Sequence, residues 1–248
     1  MIKKIILHVP HSSTKIPNYK GYSMQHEALE EEMLLLTDWY TDDIFSSGDG
    51  IMIRADFSRI FCDPERFTDD TQEVMAKFGM GVLYEKTDKG KPMREVSPQF
   101  KEEVLEQYYW VHHRKFSEVV ATQLLENNKA LILDCHSYPS IPIARDLNQN
   151  PERPDFNIGI DPYHTPQSLI ELSKDFFKSR GFSLGIDWPY SGSIVPLEYY
   201  QKEQRVESIM LEINRKLYLE EPSNVKSNRY EFIKEVTGEY ITELHRIL

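Results

Sequence analysis

The sequence has few cysteines and no long apolar run. Its 248 residues include two cysteines, Cys62 and Cys135, too few for a disulfide framework and wrongly spaced for a zinc site built from thiolates. We therefore expect a reducing, cytoplasmic environment. No apolar stretch approaches the roughly 20 residues that span a bilayer, so membrane insertion is not expected. The apolar run near the start breaks after three residues and is typical of a first strand, not of a signal peptide.

Basic residues are also in deficit. Lysine and arginine total 29 against 40 aspartates and glutamates, which gives a formal net charge of -11 at pH 7. A surface of this charge repels phosphate backbones, and the sequence contains no basic patch that would offset the repulsion. Nucleic acid is therefore excluded as an expected partner.

Apolar runs alternate with helical periodicity along the whole chain. Strand-like runs rich in Ile, Val and Leu occur at residues 5–9, 51–55, 130–133, 156–160 and 207–213. Helical periodicity is clearest at residues 26–46, 97–127, 165–181 and 227–248. The alternation predicts one α/β domain over residues 1–248, a three-layer sandwich with a mixed, mainly parallel sheet flanked by helices. The pattern of residues 68–98 predicts a long loop, and long loops in compact domains often form a lid or a wall of the substrate site.

Histidines follow two of the predicted strands. His11 stands just after the first strand in HVPHSS, and His136 ends the apolar run of LILDCHS. In open α/β sheets ligands collect at the carboxyl ends of strands, so both imidazoles are candidates for one site. Asp134 precedes His136 by two residues and points to the same side, where it can orient the imidazole or share a metal. The alternative is that these residues merely cap the strand ends.

A carboxylate is embedded in the last apolar strand, where Glu212 stands in IMLEIN. Burying an unpaired carboxylate costs several kcal/mol, so Glu212 needs a cation, a metal or a raised pKa. Any of these suits a general base. The alternative is a structural ion pair with Arg215 or another arginine.

Two histidines and a carboxylate make a plausible zinc set that leaves one position open for water. Glu212 would then take the proton of that water during attack on an amide carbonyl. Such ligands also accept manganese, cobalt or iron. For the third ligand we select Asp38, which interrupts an apolar helical stretch, although Asp42 and Asp43 compete. A solvent-facing helix position fits the spacing of Asp38 nearly as well, and no HExxH motif supports the set.

Arginines complete the candidate site. Arg59 and Arg66 stand in SRIFCDPER, just after a predicted strand. A planar guanidinium suits a substrate carboxylate or a developing oxyanion, and Asn214 and Arg215, next to the embedded acid, can serve a similar purpose. The alternative is ion pairing with nearby acids, namely Asp56, Asp63 and Glu65.

Two helix histidines and two serines are weaker candidates for catalysis. His112 and His113 lie in the long middle helix beside aromatic residues, so one must face inward, and core packing is favoured over catalysis. A serine nucleophile at Ser137 or Ser191 is disfavoured because the chain has no GxSxG elbow.

Taken together, the blocks HVPHSS, LTDW, SRIFCDPER, LDCHSYPS, DFNIGI, SGSIV and LEINRKLYL resemble the N-formylglutamate amidohydrolase family, from about residue 8 to residue 219. That family is similar to the zinc carboxypeptidases and the aspartoacylase group. The resemblance implies a similar fold and zinc-dependent cleavage of an acidic N-acyl amino acid such as N-formylglutamate. It implies that His11 and His136 bind the metal and that Glu212 is the base.

The resemblance also implies substrate contacts. Arg59 and Arg66 become candidates for gripping a substrate carboxylate, and we expect Ser137, Asn214 and Arg215 to contribute. The family's usual HSG, DLNR and Gly-Gly patterns stand here as HSS, DPER and Gly192 followed by serine. Because the loop at Gly192 is expected to wall the pocket, these changes bear on the substrate. The alternative function is a catalytically inactive relative that binds an acidic small molecule.

Overall fold

The computed structural model describes residues 4–46 and 50–248, and its centre is a six-stranded sheet. The strands are β1 (Ile6–Val9), β2 (Ile51–Arg54), β3 (Ala130–Tyr138), β4 (Phe156–Gly159), β5 (Leu184–Ile186) and β6 (Val206–Asn214). Their order is β2-β1-β3-β6-β4-β5. The first four in this order are parallel, β4 is antiparallel to β6, and β5 is parallel to β4. The predicted mixed, mainly parallel sheet is confirmed.

Helices cover both faces of the sheet. They are α1 (His26–Leu36), α2 (Thr41–Ile44), α3 (Pro98–Val104), α4 (Trp110–Asn127), α5 (Gln167–Ser179) and α6 (Tyr230–Arg246). A π-helical turn at Leu105–Tyr109 joins α3 to α4, and short 3-10 helices occur at Ala76–Phe78 and Arg215–Leu217. None of the helices in the described ranges combines the length and apolar composition needed to cross a bilayer.

The prediction of one continuous helix over residues 26–46 is wrong, because the helix is interrupted between α1 and α2. The N–H of Asp38 donates to the carbonyl of His11 at 3.0 Å instead of continuing the helical ladder. Tyr40 then adopts a left-handed conformation with φ of 61° before α2 begins. The break turns Asp38 inward, where it is 2% exposed, so a solvent-facing position is excluded.

The two faces of the sheet differ because successive side chains of a strand point to opposite sides. One face is apolar along its length and packs on α5 and α6, with Leu133 and Leu211 at its centre. The other face is apolar only near the amino ends of the strands, where Ile132 meets Phe116 of α4. Toward the carboxyl ends that second face becomes polar. The alternation therefore separates a core from a polar site within one sheet.

Replacing Leu133 by alanine should lower the free energy of unfolding by about 2–5 kcal/mol, because it leaves a cavity in the fully buried centre of β3. Urea denaturation of the metal-free protein measures the change. Leu125→Ala is the control, since Leu125 on α4 is 88% exposed and its loss should change stability by less than about 0.5 kcal/mol. Equal effects of the two substitutions would show that the core is assigned wrongly.

Candidate active site and metal centre

The register of the parallel strands brings the polar side chains together. His8 of β1 lies opposite Asp134 of β3, and His136 of β3 lies opposite Glu212 of β6. His11 follows the end of β1 by two residues. These positions meet at the carboxyl edge of the sheet, beside a cavity of about 690 Å³. The walls of that cavity include most of the predicted site residues, namely His11, Asp38, Arg59, Arg66, His136, Ser137, Glu212 and Arg215.

Each of the two cavity imidazoles lies between two carboxylates. Nδ1 of His136 is 3.1 Å from Oδ2 of Asp38, and Nδ1 of His11 is 3.6 Å from the same oxygen. On the opposite edges of the rings, Nε2 of His11 is 2.9 Å from Asp63 and Nε2 of His136 is 3.0 Å from Asp134. Metal-ligating histidines commonly donate their second ring N–H to a carboxylate in this way.

Glu65 offers a second arrangement on the Nε2 side of the same rings. Its carboxylate oxygens lie 3.2 Å from Nε2 of His136 and 3.6 Å from Nε2 of His11, and the three residues are close enough to share an ion. Both Nε2 atoms, however, already contact buried aspartates. Nδ1 of His11 is buried without a hydrogen-bond partner. The site thus offers two candidate metal arrangements, one with Asp38 on the Nδ1 side and one with Glu65 on the Nε2 side.

The carboxylates create an excess of negative charge around the imidazoles. Burial by itself lowers the pKa of His136, but Glu65 and Asp134 raise it well above the usual 6.5. Burial by itself raises the pKa of Asp38, but its contacts with His11 and His136 hold it well below the usual range. Such a cluster stabilises a cation, either protons on the imidazoles or a metal ion.

Arg215 fixes the remaining oxygen of Asp38. Its guanidinium donates to Oδ1 of Asp38 at 3.2 Å and to the carbonyl of Leu35 at 2.7 Å. The competing acids are engaged elsewhere, since Asp42 pairs with Arg54 and Asp43 with a lysine of α6. Of the three acids that the sequence offered, only Asp38 reaches the cavity.

Glu212 is a buried acid with a free oxygen. Its side chain is 6% exposed, and Oε2 has no hydrogen-bond partner. In the described part of the chain it forms no ion pair with an arginine or lysine, because Arg215 turns to Asp38 instead. Burial raises the pKa of Glu212 from 4.5 to about 8. The carboxyl can therefore exchange a proton with a molecule in the cavity near neutral pH.

The two cavity arginines are partly paired. Arg59 donates to Asp63 at 3.0 Å and to the hydroxyl of Tyr84 at 3.3 Å. Nε of Arg66 lies 3.5 Å from Asp63 and Nη1 lies 3.7 Å from Glu73, distances too long for good hydrogen bonds. The ion-pairing alternative is thus realised with Asp63, in a buried rather than a surface position. Arg66 is therefore paired less tightly than Arg59 and lies on the cavity wall.

Two predicted substrate contacts lie elsewhere. The amide of Asn214 donates to the carbonyl of Pro154 at 2.9 Å and accepts from the N–H of Lys216, so it is occupied outside the cavity. Gly192 lines a neighbouring cavity of about 380 Å³. Conversely, sequence reasoning did not assign Asp63 to the site, although a carboxylate directly after the apolar run of Ile60 to Cys62 was a usable signal.

The mixed sheet and the buried histidine–carboxylate cluster at its carboxyl edge define an α/β protein with a hydrolase-type site. The model of the N-formylglutamate amidohydrolase family matches residues 3–219, and the chain belongs to that family. No curated protein matches the chain significantly.

Solved structures show the same fold. An N-formylglutamate amidohydrolase from Ralstonia eutropha JMP134 superposes with a TM-score of 0.86 at 20% identity, over 98% of this chain and 93% of the other. A gene product from Agrobacterium tumefaciens superposes with a TM-score of 0.68 at 14% identity, over 98% of this chain and 91% of the other. At these identities the likeness concerns the fold.

Replacing Arg215 by methionine should lower the free energy of unfolding by about 3 kcal/mol, because the buried Asp38 loses its hydrogen-bonded cation. Urea denaturation in the presence of EDTA measures this change. The double variant Asp38→Asn/Arg215→Met should be more stable than Arg215→Met, since it buries no unpaired charge. Arg205→Met removes a surface pair with Glu203 and should leave the urea midpoint nearly unchanged. Equal losses in the two single variants would contradict the buried pairing.

Proposed function

We propose that the protein is a metal-dependent amidohydrolase that cleaves the amide bond of an N-formyl or other N-acyl amino acid, such as N-formylglutamate. One observation carries the proposal. The unpartnered Nδ1 of His11 faces the Asp38 oxygen that also contacts Nδ1 of His136, beside the cavity that holds Glu212. Membership of the N-formylglutamate amidohydrolase family supports the amide specificity.

The donors on the Nδ1 side fit a zinc ion. His11, His136 and Asp38 supply two imidazole nitrogens and one carboxylate oxygen, a set that zinc and other divalent metals accept. Asp63 and Asp134 hold the opposite ring nitrogens and fix the orientation of both imidazoles. When bound, the metal would act as a Lewis acid that polarises the carbonyl of the scissile amide.

Glu212 acts as the general base and then as the general acid. Its free Oε2 removes a proton from the attacking water, and the same group then donates a proton to the departing amine. Burial keeps this carboxyl away from bulk water, and cross-strand register with His136 holds it beside the candidate ligands.

The arginines bind and stabilise negative charge. Arg66, which lies on the cavity wall and makes only long contacts with Asp63 and Glu73, binds the carboxylate of an acidic N-acyl amino acid. Arg59, held by Asp63 and Tyr84, stabilises the oxyanion that develops at the carbonyl. Ser137 lies on the same wall and contributes a hydroxyl. A cavity of about 690 Å³ is within the size range of small-molecule sites.

Glu212→Gln should lower kcat for hydrolysis of N-formylglutamate by at least about 100-fold, because the amide cannot accept the proton of water. Release of formate measures the rate. Glu207→Gln is the matched control, since Glu207 lies at the other end of β6 and pairs with Lys129. Its activity should equal that of the wild type.

The same assay tests the proposed reaction itself. Chelation should abolish formate release, and zinc should restore it. The wild-type protein could instead bind N-formylglutamate and other N-acyl amino acids without turnover in the presence of zinc. That result would contradict the proposed function and favour an inactive relative. A Glu212→Gln variant with near wild-type kcat would show that another group is the base.

Arg66→Met should raise KM for N-formylglutamate by about tenfold, since the loss of a charge-assisted contact worth about 1.4 kcal/mol corresponds to that factor. The change in kcat should be smaller. Initial rates over a range of substrate concentrations separate the two constants. Arg54→Met, which removes a surface partner of Asp42, is the control and should leave KM unchanged. An unchanged KM in Arg66→Met would remove Arg66 from the substrate site.

A further inference from the structure

A second group of metal-ligand side chains lies beyond the proposed metal centre, next to the ring of His136. It consists of His8, Glu65 and Asp134, whose ligand atoms all lie within 4.8 Å of one another. Nδ1 of His8 is 2.8 Å from Oδ1 of Asp134 and 3.7 Å from Oε1 of Glu65. His8 is 0% exposed and Asp134 is 2% exposed, whereas the side chain of Glu65 is 20% exposed.

The two carboxylates of this group differ from Asp38 and Asp63 in their partners. Asp38 pairs with Arg215, and Asp63 pairs with Arg59. Within residues 4–46 and 50–248, neither Glu65 nor Asp134 forms an ion pair with an arginine or lysine, and the ion-pair partners of both are histidines. Burying carboxylates without a permanent cation costs several kcal/mol. Two carboxylates match the charge of one divalent cation.

Contacts with neighbouring residues also fix the side chains of His8 and Asp134. Nε2 of His8 lies 3.0 Å from Nε2 of His112, and the ring of His8 stacks on Phe116 with centroids 4.7 Å apart. The N–H of Ile194 donates to Oδ2 of Asp134 at 3.3 Å. Nδ1 of His8 and Oδ1 of Asp134 are therefore oriented toward each other and toward Glu65, as metal ligands typically are.

The group has its own access to solvent. Glu65 and Asp134 line the neighbouring cavity of about 380 Å³, which shares the wall around Glu65 and Arg66 with the larger cavity. An ion at this position could therefore enter without passing the proposed metal centre and would retain an open coordination position.

We propose that His8, Glu65 and Asp134 form a second site for a divalent cation, of the zinc or manganese type, adjacent to the site of His11, Asp38 and His136. Imidazole and carboxylate donors suit both metals. The inference rests on the proposed function only in assigning the first ion to the Nδ1 side of the imidazoles.

The test is the zinc stoichiometry of purified protein, loaded with zinc, dialysed to equilibrium and analysed for metal content. Wild type should retain two equivalents, and His8→Gln and Glu65→Gln should each retain one. His26→Gln, which removes an exposed histidine of α1, is the control and should retain two. His11→Gln should lose the other equivalent. Circular dichroism reports whether the buried His8→Gln variant folds, and Glu65→Gln, at a partly exposed position, decides the question if it does not.

The outcomes separate the two ions. One equivalent in the wild type that is lost in His11→Gln but kept in His8→Gln would overturn the second site and leave the proposed function intact. Two equivalents retained in both His8→Gln and Glu65→Gln would also overturn it. Failure of every protein to retain zinc would contradict both the second site and the proposed metal centre. With Mn²⁺ in place of zinc, electron paramagnetic resonance should show coupling between neighbouring ions in the wild type and its loss in Glu65→Gln.

Discussion

The rest of the site depends on the contacts that the carboxylate of Asp38 makes with two imidazoles and one arginine. One of its oxygens faces Nδ1 of both His11 and His136, and the other accepts from Arg215. Because the Asp38 N–H is bonded to the carbonyl of His11, the same residue ends α1 and ties it to the end of β1. The ends of β1, β3 and β6 are thus joined through a single buried acid. A metal at this point would hold the elements that carry the chemistry.

The cluster is arranged for chemistry more than for stability. A buried ion pair is often less stabilising than apolar residues of the same volume, and this sheet can clearly supply such residues. Its α5–α6 face is apolar from end to end, and the opposite face is apolar as far as Ile132. The change to Asp134 and His136 occurs within the same strand. A concentration of buried acids and imidazoles at strand ends is the local conflict expected of a functional site.

Much of this arrangement could be predicted from the sequence, because local patterns determine it. Apolar runs located five strands, and polar residues at their carboxyl ends identified His11, His136 and Glu212 as candidates, which the structure places around one cavity. The break before Asp38 depends on a hydrogen bond to His11, far away in the chain, and no local pattern shows it. The strand β5 has three residues, too few for a recognisable run. The position of Glu65 between three histidines likewise depends on how the loop after β2 folds back over the sheet.

The position of the bound metal tests the central claim most directly. Anomalous diffraction at the zinc absorption edge, from crystals grown with zinc, shows whether the ion lies on the Nδ1 or the Nε2 side of each imidazole. We expect a peak about 2.0–2.2 Å from Nδ1 of His11, Nδ1 of His136 and the Asp38 carboxylate, with or without a second peak beside His8. Zinc on the Nε2 side alone, held by Glu65 with nothing at Asp38, or no zinc at the cavity, would contradict the assignment of the metal centre.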